Sequence, residues 1–98
     1  MNVKRYTWED ILRMFNANKL FVSILKQKTT DQIQFAVGTE EVELYEGTYS
    51  VSGNIVTVLW YPEYSMWIAK KGDFTEIVRS RHLEKVVDSV IEFYNTNK

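Results

Sequence analysis

Apolar positions recur along this chain with two different periods, and each change of period marks a new element. Trp8, Ile11, Leu12 and Phe15 follow i, i+3, i+4, i+7 spacing, which lays one apolar stripe along a helix over Trp8 to Ala17. Thr7 stands where a hydroxyl can cap the first turn. Glu9 and Asp10 lie where the helix dipole favours negative charge, and Asn16 and Asn18 supply the stop. A longer stripe of Leu83, Val86, Val87, Val90, Ile91 and Tyr94 predicts a second helix over Arg81 to Asn95. Its outer face carries Glu84, Asp88 and Glu92 in an i, i+4, i+8 row.

Between the helices the period falls to two, the spacing of a strand with one buried face. Leu20, Val22 and Ile24 alternate with Phe21, Ser23 and Leu25, and Ile33, Phe35 and Val37 alternate with Gln32, Gln34 and Ala36. The polar run Lys26 to Asp31 separates them, so the two segments predict a hairpin. A third strand is expected from Val42, after the acidic turn Gly38 to Glu41. Gly53-Asn54 sits between two β-rich runs and predicts a tight hairpin with Ser52 opposite Ile55, Val51 opposite Val56, Tyr49 opposite Val58 and Gly47 opposite Trp60. The alternation changes phase near Gly47, where a bulge is expected. A last hairpin at Gly72-Asp73 sets Ile68 opposite Ile77 and Trp67 opposite Val78. The expected fold class is α+β: an N-terminal helix, an antiparallel meander of five or six strands, and a C-terminal helix packed on one sheet face. A small, partly closed barrel flanked by the last helix is the alternative.

Composition narrows the functional classes. One Pro and four Gly in 98 residues leave no linker, so residues 1–98 read as a single domain, and 14% aromatic content provides bulk for a core. The net charge of -1 argues against a generic polyanion binder. With no Cys and one His, thiol catalysis, Cys-based metal sites and multi-His sites are excluded. The longest apolar run, Val58 to Tyr61, is far too short to span a membrane, and no signal peptide is readable; a cytoplasmic protein is expected. No phosphate-binding glycine loop and no calcium-loop spacing is present, so neither a cofactor nor a metal is expected and catalysis is not.

Two stretches carry candidate chemistry. Val58 to Trp67 places four aromatics and a Met in eight residues from Trp60, more than one strand pair can bury on one face. Tyr61, Tyr64, Met66 and Trp67 are therefore candidate apolar anchors for a protein partner, with Glu84, Asp88 and Glu92 as an acidic rim that steers association. The second stretch is Arg79, Ser80, Arg81 and His82, three bases at the start of a helix, where acids are the rule. Either an anion binds there, held by first-turn N–H groups and guanidiniums, or the corner is neutralised by the acids between Glu40 and Glu46 or by Glu84. The reading that fits best is a small non-enzymatic binding protein, an accessory or inhibitory protein of the kind phages and mobile elements encode. The alternative is nucleic-acid or nucleotide-phosphate binding through Arg79 to His82. No membrane partner is expected, and a homodimer could form through an unpaired sheet edge.

Overall fold

A computed structural model describes residues 7–26 and 33–96, without the side chains of Trp8 and Lys26. Helix α1 (Trp8–Ala17) begins as its sequence predicts. The Thr7 hydroxyl accepts from the Asp10 N–H at 3.2 Å, and the Asp10 carboxylate accepts from the Thr7 N–H at 3.1 Å. This reciprocal box satisfies two donors that the first turn leaves free. Asn18 ends the helix, its side-chain amide donating to the Met14 carbonyl at 2.8 Å, and Lys19 then takes a left-handed conformation that turns the chain into the sheet.

Strands β1 (Phe21–Lys26) and β2 (Gln34–Gly38) form the expected antiparallel hairpin, with Phe21 opposite Gly38 and Ile24 opposite Phe35. The expected turn between them lies, beyond Lys26, outside the described residues. The chain continues through β3 (Glu40–Tyr45), β4 (Thr48–Ser52), β5 (Val56–Tyr61), a 3-10 turn at Pro62–Tyr64, β6 (Met66–Lys71), β7 (Glu76–Ser80) and helix α2 (Leu83–Thr96). The α+β class is as expected, but the sheet is not a single meander of five or six strands. Among the described residues seven strands form two sheets: a five-stranded one in the order β1-β2-β5-β6-β7 and a separate β3-β4 ribbon.

The Gly53-Asn54 hairpin does not form. Strand β4 pairs with β3, setting Tyr49 opposite Glu43 and Val51 opposite Glu41, while β5 pairs with β2 and β6. Burial explains the choice. Pairing β5 with β2 sets Val56 against Val37 and Val58 against Phe35, and all four are 0% exposed. Placing β4 there would bring Thr48, Tyr49 and Ser50 into the centre of the sheet. Gly53 still makes a turn, at φ +85°, but the turn joins two sheets. Gly47, expected opposite Trp60, lies in the β3–β4 turn at φ +78°; the expected bulge falls between Glu43 and Tyr45. Trp60 instead faces Trp67, their ring centroids 5.3 Å apart.

The last hairpin forms two residues out of its expected register, with Ile68 opposite Arg79 and Trp67 opposite Ser80. Phe74 joins the loop in a left-handed conformation and adds one residue; a bulge between Lys70/Glu76 and Ala69/Val78 adds the other. An even shift keeps every side chain on its face, so the pattern survives the slip. Both helices cover one face of the five-stranded sheet. Ile11 and Phe15 of α1 and Val86, Val87 and Val90 of α2 meet Phe35, Val37, Val56, Val58, Trp67 and Ala69 in one buried cluster. Phe15 meets Phe35 edge-on at 5.8 Å, an arrangement worth about 0.5–1.5 kcal/mol beyond its burial.

Candidate functional site

The β3–β4 ribbon leaves the body where β2 ends and rejoins it before β5. Three interactions fix that root. The Tyr94 hydroxyl, near the end of α2, lies against the carbonyl of Val37 (3.1 Å) before the ribbon and that of Asn54 after it. One proton serves both acceptors, so Tyr94 ties the outgoing and returning chain to the same helix. The Thr39 hydroxyl accepts from the Asn54 N–H at 3.2 Å. Gly38 lets β4 cross β2 closely: a Cβ there would stand 2.7 Å from the Ser52 carbonyl oxygen and 2.8 Å from the Val51 Cβ. Burial pushes the Tyr94 phenol up to about 12, and the nearby Val56 N–H, which favours phenolate, offsets only part of that rise.

Beyond its root the ribbon is open. Every residue of β3 is exposed, and Val51 of β4 is buried where it meets the body. Val42 is 45% exposed, Leu44 57%, Tyr45 73% and Tyr49 51%, which is four of the eight large apolar side chains exposed among the described residues. Residues 40–52 also hold four of the chain's 13 carboxylates, at Glu40, Glu41, Glu43 and Glu46, and none of its 12 Lys and Arg side chains. An isolated two-stranded ribbon is marginally stable in water, and exposed apolar side chains on one do not add core.

The candidate anchors separate. Trp67 is 2% exposed and belongs to the core, so its expected place on the surface is corrected: its strand alternates with Ile68, and the Trp67 face is the one under the helices. Tyr61 and Met66 are cross-strand partners on the face opposite the helices, both half-buried, with Lys70 above the Tyr61 ring at 5.4 Å. Tyr64 is exposed at the tip of the 3-10 turn, with Ser65 left-handed behind it. On α2, Asp88 and Glu92 are exposed and Glu84 is half-buried.

The basic corner is not an open cradle. Arg79 and Ser80 belong to β7, and α2 begins only at Leu83, so the acid in its first turn is Glu84, as the dipole prefers. The Arg79 guanidinium donates two hydrogen bonds to the Glu76 carboxylate, which holds that carboxyl below its ordinary range. Three residues apart on a regular strand, these side chains would face opposite ways; the bulge puts them on one side. The Ser80 hydroxyl accepts from the His82 N–H at 3.1 Å, and His82 Nδ1 lies 3.9 Å from Glu84. Glu76 and Glu84, rather than the acids between Glu40 and Glu46, are therefore the carboxylates beside this corner. Arg81 is exposed.

A cleft of about 310 Å³ opens beside the ribbon root, lined by Asn18, Lys19, Leu20, Thr39, Asn54, Tyr94 and Asn95. Asn95 donates to Asn18 across it at 3.1 Å. The lining holds no carboxylate and no histidine; its ionisable side chains are Lys19 and Tyr94. Among the described residues no three His, Asp or Glu side chains gather as metal ligands, and no helix is long and apolar enough to cross a membrane.

No known family matches the chain, nor does any curated protein or any solved structure. The residues themselves must carry the functional reading. Val42, Leu44, Tyr45 and Tyr49 do not stand out in the sequence as an exposed group, because Val42 opens an expected sheet strand and Tyr49 is expected opposite Val58. The available signal was the run Glu41-Val42-Glu43-Leu44, which alternates acid with aliphatic where a core strand would alternate aliphatic with neutral polar residues.

Proposed function

We propose that this chain is a non-enzymatic protein-binding domain that presents its β3–β4 ribbon to a partner. The observation that carries this reading is the concentration of exposed apolar side chains on the ribbon. Leu44 and Tyr45 stand more than half exposed on a two-stranded element whose root is pinned by Tyr94, Thr39 and Gly38. Anchoring both ends of a ribbon while leaving its middle bare positions a surface at little entropic cost to binding. Tyr and Leu side chains so displayed can fill pockets on a partner, and the surrounding carboxylates steer its approach. The small size of the domain and the scarcity of groups that could act as acid and base fit an accessory or inhibitory role.

The test is retention of a partner from the source cells by immobilised wild type and by a Leu44→Ser/Tyr45→Ser variant, with bound proteins identified by mass spectrometry. A specific protein held by wild type and lost by the folded variant supports the reading. Equal retention by both overturns it.

A further inference from the structure

We infer that the partner is an extended basic segment that adds as a strand to the free edge of β3, an inference that rests on the protein-binding reading above. Strand β3 has one ladder neighbour, β4, and its other edge is unpaired among the described residues. All six of its residues are exposed, so nothing described covers the outward N–H and C=O groups along that edge. Such an edge is a template for pairing, and main-chain hydrogen bonds supply affinity when a strand is added.

The side chains say which strand. Glu41 and Glu43 share the ribbon face of their partners Val51 and Tyr49, while Val42, opposite Ser50, is on the other. Glu40, opposite Ser52, lies on Val42's side, and the bulge at Leu44 returns Tyr45, opposite Thr48, to that side as well. One face of the edge thus carries Glu41 and Glu43, and the other offers Val42 and Tyr45 after Glu40. An incoming strand that alternates Lys or Arg with aliphatic residues matches both: its cations lie beside Glu41 and Glu43, its aliphatic side chains beside Val42 and Tyr45. A second copy of this chain is disfavoured by the same feature. Pairing β3 with β3 sets carboxylate faces side by side with no cation on either ribbon. The acids therefore serve two ends, blocking self-addition and selecting a basic partner.

The probe is an N-acetylated, fluorescein-labelled heptapeptide alternating Lys with Val and Ile, titrated into the full-length ¹⁵N-labelled protein. Controls are the same peptide N-methylated at alternate backbone nitrogens, in both phases, and a version with Glu in place of Lys. Strand addition predicts saturable binding that weakens about tenfold or more between 50 and 300 mM NaCl as the charges are screened. It also predicts loss of binding to the Glu peptide and to one N-methylated phase, and slowed exchange of alternate β3 amides. No binding to the Lys peptide, equal binding of the Glu peptide, or full binding of both N-methylated peptides overturns it. The two proposals fail separately. If Leu44→Ser/Tyr45→Ser abolishes retention of a cellular partner while the Lys peptide does not bind, strand addition is wrong and the ribbon remains the docking surface. Unchanged retention removes both.

Discussion

Replacing Tyr94 by Phe removes one oxygen and should loosen the ribbon at its root. The residue is 7% exposed, and its hydroxyl is placed on the carbonyls of Val37 and Asn54, residues that flank the ribbon on either side. Phe keeps the ring in the core, so no cavity opens. What is lost is one donated proton shared by two acceptors. Asn54 is exposed and regains water, whereas Val37 is 0% exposed and its carbonyl loses that partner. A hydrogen bond removed with one buried acceptor left behind costs about 1–2 kcal/mol. In a domain of this size each kcal/mol moves the melting temperature by about 4–8 °C, so the midpoint should fall by roughly 5–15 °C. Thermal unfolding followed by circular dichroism measures that. Amide hydrogen exchange under native conditions tests the location: Thr39 and Asn54 should exchange faster by more than the global loss, while core amides at Val58 and Val87 follow the global change. A midpoint within a degree of wild type, or uniform acceleration everywhere, would refute the idea that this hydroxyl clamps the ribbon.

The same phenol predicts a pH dependence: its folded value of about 12 exceeds its ordinary 10, so the unfolded chain loses that proton first, and its contribution should fade as pH rises from 10 to 12, by on the order of 2 kcal/mol; urea unfolding of wild type and Tyr94→Phe should therefore converge over that range, and a constant difference would contradict it. Gly38→Ala should cost about 1–3 kcal/mol, because the new Cβ meets backbone at 2.7 Å and the ribbon root must shift; an unchanged denaturation midpoint would count against the close crossing of β4 over β2. Leu44→Ser/Tyr45→Ser should leave the melting temperature nearly unchanged, within about 0.5 kcal/mol per site, since both side chains are more than half exposed, so a large loss would mean the ribbon packs against something. Arg81→Glu should not alter partner retention through the ribbon, and a loss there would move the binding site to the corner between β7 and α2.

Local features written in adjacent residues were legible from sequence. The Thr7 cap, the stop at Asn18 and the stripes of both helices are legible within a residue or two, because each depends on spacing along one element; the return bond from Asp10 that completes the capping box is added by the structure. The β1–β2 hairpin also emerged, since Val22, Ile24, Phe35 and Val37 alternate without interruption. Helix α2 starts two residues later than its apolar period predicts: Arg81 and His82 precede the first turn, and the apparent clash of three bases with the helix dipole dissolves. Of the expected anchors, Tyr64 lies on the surface and Trp67 in the core, a distinction that depends on which face of β6 the helices cover.

By itself the sequence determined the element types, the residues that share a face along regular stretches of strand, and the α+β class, because these follow from periods of 3.6 and two. It also set the acid-and-aliphatic alternation of β3. Only the tertiary structure decided strand partners. Gly53-Asn54 is as good a turn between sheets as within a hairpin, and local turn chemistry cannot distinguish the two. The choice fell to burial across residues far apart in the chain: Val56 and Val58 gain Val37 and Phe35 as neighbours, and β3 and β4 are left to pair with each other. That exchange, favourable for the core, is what puts Leu44, Tyr45 and the free edge of β3 in solvent.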